Sequence, residues 1–300
     1  MKKRQRVAIV GVGSVGGVFA SELLLADRHD VLLCARRPFT GLFVESSQLP
    51  AEHPDAVALT QPDDVGGPVD WVLLVTKAHQ TEGAKPWLDA LCTPSTRVVL
   101  IQNGIEQAER GRAIVPDATC IGSVVYCGAS VIEPGRIAHT ARCHLFVAGG
   151  PDGEALAELF EGTRATISAG DDYRLRNFEK LLINLLLNGP CAIANQPGVI
   201  YQQPAMKAMA ADVISEVIQL ASAEGVDMGA DALERTLTRL DSLPATLVPS
   251  TLQDRRAGRA FEHDAITGAA LRLASKHGIS TPAVRAMHAY LCAIDPGIVD

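Results

Sequence analysis

The chain has no apolar run long enough to cross a membrane: its longest uncharged apolar stretch, Val7 to Ser21, is about 15 residues and is broken by Gly11, Gly13, Gly16 and Gly17. The same glycines spoil the apolar region of a secretory signal. Lys2, Lys3, Arg4 and Arg6 precede it as they would in a signal, but no small-residue cleavage site follows. Positive charge is in deficit, with 27 Lys+Arg against 34 Asp+Glu and a formal net charge of -7. No global basic surface is implied, which argues against a nucleic-acid partner and leaves room only for a local basic pocket. The 7 cysteines (Cys34, Cys92, Cys120, Cys127, Cys143, Cys191, Cys292) are scattered and include no C-x-x-C, so neither a disulfide framework nor a zinc knuckle is suggested and no metal is expected. These absences predict a cytoplasmic protein with reduced thiols, without membrane or nucleic-acid partners.

What is present is an ordinary globular composition, 47% hydrophobic and 20% charged over 300 residues, a length above the usual ceiling for one core. Two domains are expected. Val7 to Val10, Asp30 to Cys34, Ala56 to Thr60, Val69 to Val75, Val98 to Ile101 and Thr119 to Tyr126 each read as a strand buried on both faces. Their alternation with helical or turn-rich stretches predicts a parallel α/β sheet. Around Glu133-Pro134-Gly135-Arg136 two apolar runs flank a turn and suggest an antiparallel addition. Beyond residue 172 the pattern is helical: Tyr173 to Leu187, Pro204 to Glu224, Ala230 to Leu240, Thr251 to His277 and Pro282 to Ala293. The expected division is therefore residues 1–172 as a doubly wound, Rossmann-type domain and residues 173–300 as an all-helical domain.

Gly11-Val12-Gly13-Ser14-Val15-Gly16 stands directly between the first strand and the helical run Val18 to Leu25. In that context the first glycine allows the tight turn, the second lets backbone approach a pyrophosphate, and the third lets helix and strand pack closely. The second strand ends in Cys34-Ala35-Arg36-Arg37, with no acid to accept from a ribose 2'-hydroxyl and two arginines suited to a 2'-phosphate, so NADP(H) is expected rather than NAD(H). Lys77 and Asn103 follow the fourth and fifth expected strands, the edge at which such sheets bind ligands.

In the first long helix of the second half, Lys180, Asn184 and Asn188 recur every four residues among aliphatic neighbours and share one face. Buried amides and an ammonium need polar partners, and a substrate is one such partner. Apolar surroundings are expected to lower the pKa of Lys180, which suits a proton donor to a carbonyl. A final polar cluster comprises Ser250 to Asp254 and Glu262-His263-Asp264; on residue type alone, Glu262 reads as part of a solvated face.

Taken in order, these features resemble the ketopantoate reductase (2-dehydropantoate 2-reductase) family over essentially the whole chain. The matching segments are the glycine motif, Arg36, Leu-Val-Thr-Lys ending at Lys77, Gln-Asn-Gly around Asn103, Pro-Gly-x-Ile-x-His-Thr from Pro134 to Thr140, Lys-x-x-x-Asn-x-x-x-Asn from Lys180, and Ser-x-Leu-Gln-Asp then Glu-x-Asp from Ser250 to Asp264. The resemblance implies an oxidoreductase of pantothenate biosynthesis that reduces a 2-oxo acid with NADPH at a site between the domains. It implies Lys180 as general acid, with Glu262 orienting that lysine or a substrate hydroxyl. Asn103 and Asn184 position the nicotinamide side and the substrate, and Ser250 takes the substrate carboxylate.

The chain departs from the family at Thr267-Gly268, where Asn-Gly is common, and near Gly198, where an asparagine is frequent. It departs also at Leu247, in place of a polar contact, and at Phe178, in place of a tryptophan. Substrate identity is more exposed to these changes than reaction type. Lys-x-x-x-Asn also fits a β-hydroxyacid or 6-phosphogluconate dehydrogenase, against which Ser250 and Glu262 speak. A catalytically silent NADP-binding sensor is the alternative outside enzymes. A homodimer is compatible with the sequence, which does not set the oligomeric state.

Overall fold

The computed structural model describes residues 3–47 and 50–298; Met1, Lys2, Gln48, Leu49, Val299 and Asp300 lie outside the described residues. The chain divides into two compact units, one of Met1–Gln102 and Glu106–Tyr173, the other of Asn103–Ile105 and Arg174–Asp300. The three residues Asn103–Ile105 thus pack with the helical unit although they follow a strand of the first, because Ile105 lies against the helical core.

The first unit is a ten-stranded mixed sheet with helices. Its strands are β1 (Arg6–Val10), β2 (Asp30–Cys34), β3 (Thr40–Glu45), β4 (Ala51–Leu59), β5 (Trp71–Leu74), β6 (Arg97–Leu100), β7 (Thr119–Gly122), β8 (Val124–Glu133), β9 (Arg136–Ala148) and β10 (Thr166–Gly170). They run in the order β10-β9-β3-β4-β2-β1-β5-β6-β7, with β8 paired to β9. The stretch β2-β1-β5-β6-β7 is wholly parallel. Its residues alternate between two cores: Val7 and Ile9, Trp71 and Leu73, and Val99 and Ile101 join Phe19 and Leu23 of helix α1 (Ser14–Ala26). Ala8 and Val10, Val72 and Leu74, and Val98 and Leu100 join Leu88 and Leu91 of helix α2 (Lys85–Leu91). Burial on both faces is why these strands read as continuous apolar runs.

Elsewhere the sheet departs from the expected pattern. The run Thr119 to Tyr126 is two strands, not one. At Ser123 the buried hydroxyl donates to Leu100 O at 2.8 Å and the carbonyl accepts from Gln107 Nε2 at 3.2 Å, so the chain leaves β6 and turns to pair antiparallel with β9. Strand β10 (Thr-Ile-Ser-Ala-Gly) has no apolar run, and β3 offers only the three-residue run Leu42-Phe43-Val44 between Gly41 and Glu45, too short to mark a strand by itself. Strand β4 starts before Ala56 and contains Pro54, which falls in an irregularity where residues 54–56 oppose Gly41 of β3; a bulge tolerates a residue without an N–H.

The second unit is helical: α5 (Tyr173–Ala194), α6 (Pro204–Ala223), α7 (Ala232–Asp241), α8 (Ser250–Arg256), α9 (Ala269–His277) and α10 (Pro282–Ile294), following α3 (Gln107–Ile114) and α4 (Pro151–Leu159) of the first. No helix among the described residues is long and apolar enough to cross a membrane. Leu181, Leu185, Val213, Val217, Leu252 and Val284 are among the residues of one continuous core.

Helix α5 does not stop at Leu187 as Gly189-Pro190 suggested; it continues through both residues to Ala194. Pro190 cannot donate to the carbonyl four residues earlier, and that carbonyl, Leu186 O, accepts instead from the buried Tyr201 hydroxyl. Tyr201→Phe is therefore expected to destabilise the fold by about 1–3 kcal/mol, the cost of a buried unsatisfied carbonyl, in denaturant unfolding. A variant as stable as the native protein would show that the hydroxyl does not serve this purpose.

The segment Thr251 to His277 is likewise not one helix. Helix α8 ends at Arg256 and is closed off by Gly258, whose φ of 62° is in the left-handed region, with Arg259 N donating back to Asp254 O at 2.9 Å and Gly258 N to Arg255 O at 3.1 Å. After four further residues the chain re-enters helix through a π-helical turn, Asp264–Gly268, that leads into α9. This interruption places Glu262 outside any helix.

Candidate active site

In the first unit the glycine loop joins β1 to α1. Gly11 has φ 100°, and a Cβ there would lie 2.8 Å from Thr76 N. A Cβ on Gly16 would lie 2.1 Å from Gly11 O, so loop and helix can close only with glycine at that position. Around Gly13 the situation is opposite: a Cβ would meet nothing within 4 Å. Gly13 caps α1, whose first turn begins Ser14-Val15-Gly16 and has neither a side-chain cap nor an acidic residue. Open space at an uncapped, acid-free helix N-terminus suits a phosphate group.

Arg36 and Arg37 lie exposed just beyond β2, and among the described residues neither has an ion-pair partner. Lys77 is half-buried after β5. The loops that follow β5 and β6 are tied together by Gln102, a buried residue that sequence inspection passed over. Its Nε2 donates to Thr76 O at 3.0 Å and to Thr81 Oγ1 at 2.9 Å, while its own carbonyl accepts from Gln107 Nε2 at 3.3 Å. Such a side chain in place of an apolar one is the only local sign that the strand ends are braced.

In the second unit, five of the residues singled out from sequence meet in one hydrogen-bonded chain. Asn188 Oδ1 accepts from Ser250 Oγ and from the backbone N of Thr251, both at 3.1 Å. Asn188 Nδ2 donates to Asn184 Oδ1 at 3.2 Å, Asn184 Nδ2 to Asn103 Oδ1 at 3.3 Å, and Asn103 Nδ2 to Glu262 Oε2 at 2.9 Å. The direction is dictated at the Thr251 end: a backbone N–H can only donate, so Asn188 presents its Oδ1 there, and each amide in turn accepts at Oδ1 and donates from Nδ2 towards the Glu262 carboxyl, all three pointing the same way. Asn184, Asn188 and Glu262 are buried, and Ser250 is exposed where the chain reaches the surface. Lys180 lies half-buried one turn before Asn184 on α5. The burial of Glu262 differs from the solvated face its residue type suggested, because the break after α8 turns it inward to Asn103.

Two family models match the chain, described as ketopantoate reductase PanE/ApbA over residues 7–150 and as its C-terminal domain over residues 172–295. The chain belongs to the ketopantoate reductase family. It is 30% identical to a 2-dehydropantoate 2-reductase of Mycobacterium tuberculosis over 296 residues, covering 97% of this chain and 98% of that protein. It is 32% identical over 277 residues to the corresponding enzyme of Caulobacter vibrioides, covering 92% and 94%. The crystal structure of a PanE/ApbA family ketopantoate reductase from Ralstonia eutropha superposes with a TM-score of 0.86 at 30% identity, over 96% of this chain and 98% of that one.

Within this ketopantoate reductase family member, the four departures have structural explanations of their own. Thr267 is buried; its hydroxyl donates to His263 O and also meets His288 Nδ1, both at 2.8 Å. Gly198 and Leu247 touch each other: Gly198 N donates to Leu247 O at 2.9 Å, and a Cβ on Gly198 would lie 3.5 Å from Leu247 Cβ and only 2.9 Å from Pro244 O. They form one backbone-paired contact. Phe178 is buried in the helical core.

Proposed function

We propose that this chain reduces a 2-oxo acid with NADPH, with 2-dehydropantoate as its foremost substrate. The observation that carries the proposal is the oriented amide chain from Ser250 to Glu262, with Lys180 one helical turn from Asn184. When bound, NADPH supplies the hydride that goes to the carbonyl carbon. The glycine loop and the uncapped start of α1 would accept its pyrophosphate, Arg36 would pair with its 2'-phosphate, and Lys77 and Asn103 would serve the remainder of the nucleotide. The fit rests on the space beside Gly13 and on the first turn of α1, which carries no acidic residue.

Negative charge develops on the carbonyl oxygen as hydride arrives. A nearby ammonium stabilises that charge more in the transition state than in the ground state, and Lys180 donates the proton that neutralises it. Glu262 orients the lysine or a substrate hydroxyl, Asn184 and Asn188 hold the substrate's polar atoms, and Ser250 turns its hydroxyl proton from Asn188 Oδ1, which Thr251 N still holds, to the substrate carboxylate. Buried amides with a single permitted orientation are well suited to this, since they need not reorganise during the reaction. The test is oxidation of NADPH, followed by its absorbance, with 2-dehydropantoate and a panel of other 2-oxo acids. Turnover of 2-dehydropantoate is expected, and no turnover with any member would refute the proposal.

A further inference from the structure

Glu262 sits in a short non-helical link, yet its carboxylate must meet Asn103 within hydrogen-bond distance for the amide chain to be terminated. The residues on either side of it in sequence are both held by one side chain. Phe261 N donates to Asp295 Oδ1 at 3.2 Å and Oδ2 at 3.3 Å, and His263 Nδ1 lies 3.0 Å from Asp295 Oδ2. The His263 contact is close but lacks hydrogen-bond direction, so the two-oxygen grip on Phe261 N is the firmer of the two. Asp295 itself follows α10, is buried, and is fixed by Gly297 N at 2.9 Å.

A second brace lies behind His263. Its carbonyl takes the Thr267 hydroxyl, Thr267 meets His288, and the His263 and His288 rings stand 5.5 Å apart. Every one of these contacts falls on the π-helical turn or its immediate flank. We propose that Asp295 is a positioning residue for the reaction: by gripping Phe261 and His263 together, it sets where the Glu262 carboxylate lies and so keeps the amide chain terminated.

The inference rests on the reductase reading given under Proposed function, and the experiment separates the two. Asp295→Ala is expected to lower kcat/KM for 2-dehydropantoate by about 10²-fold, the scale of a misplacement of around 1 Å, while KM for NADPH stays unchanged. Asp295→Asn keeps an acceptor for Phe261 N and is expected to recover most of that loss. If Asp295 acts through Glu262, Asp295→Ala adds little in a Glu262→Gln background, whereas a merely structural aspartate multiplies the two losses.

A second measurement is independent of turnover: the side-chain amide resonance of Asn103, assigned by its disappearance in Asn103→Asp. Asp295→Ala is expected to move it towards its position in Glu262→Gln. Multiplicative rate losses, or an Asn103 resonance that Asp295→Ala leaves in place, would overturn the proposal. If the native protein turns over no 2-oxo acid, the reductase reading fails, and the Asn103 resonance still decides whether Asp295 positions Glu262. Should Asp295→Ala not fold, Asp295→Leu, which keeps bulk but offers Phe261 N no acceptor, is read by the same two measurements, with a comparable rate loss and displacement of the resonance expected; native values in both would overturn the proposal.

Discussion

Lys180→Ala is expected to lower kcat/KM by about 10²-fold or more while the protein stays folded and binds NADPH as before. The ammonium is the only group we assign to proton delivery, and general acid catalysis contributes on that scale. Lys180 is half-buried on a helix whose core contacts are made by Leu181, Leu182, Leu185 and Leu186, so truncation removes little of the packing that holds α5. The groups assigned to the cofactor's phosphates, around Gly13 and Arg36, belong to the other unit. Steady-state kinetics together with a fluorescence titration of NADPH check both halves of the expectation. Near-native turnover in Lys180→Ala would show that the proton comes from elsewhere.

The second large effect is on cofactor choice. Arg36→Ala is expected to weaken NADPH binding by about 10- to 10²-fold, equivalent to the 1.5–3 kcal/mol of a hydrogen bond to a charged group, and to leave NADH nearly unchanged. Cys34-Ala35-Arg36-Arg37 ends β2 without an acid, so nothing there rewards a free 2'-hydroxyl. Because Arg36 is exposed, its attraction is screened by salt, and the preference for NADPH is expected to narrow as ionic strength rises. Titrations of both nucleotides at two salt concentrations check this. Equal weakening of NADPH and NADH would show that Arg36 acts on something the two share.

Much of the site was legible because its chemistry leaves local marks. Gly11, Gly13 and Gly16 announce a strand-to-helix turn, and Lys180, Asn184 and Asn188 announce a polar stripe through their spacing of four. Glu262 was legible only through family resemblance. Its residue type suggests solvent, and its burial follows from a helix break at Gly258 whose signal, one glycine among charged residues, is weak. Asp295 left no mark at all, since a carboxylate near the end of a chain has no pattern to stand out from.

The parallel strands β1, β2, β5 and β6 and the helical character of residues after Tyr173 were determined by the sequence itself, because double-sided burial demands unbroken apolar runs and helix cores demand a 3.6-residue period. Strands β3 and β10, the split at Ser123 and the continuation of α5 through Pro190 were decided only in the tertiary structure. Each depends on a partner distant in the chain: β9 for β3 and β10, Leu100 for Ser123, and Tyr201 for the carbonyl that Pro190 leaves free. The same holds for the site. Residue types supplied three amides, a hydroxyl and a carboxylate; the order Ser250, Asn188, Asn184, Asn103, Glu262 came from the tertiary structure, and its single direction from the backbone N–H of Thr251 at one end.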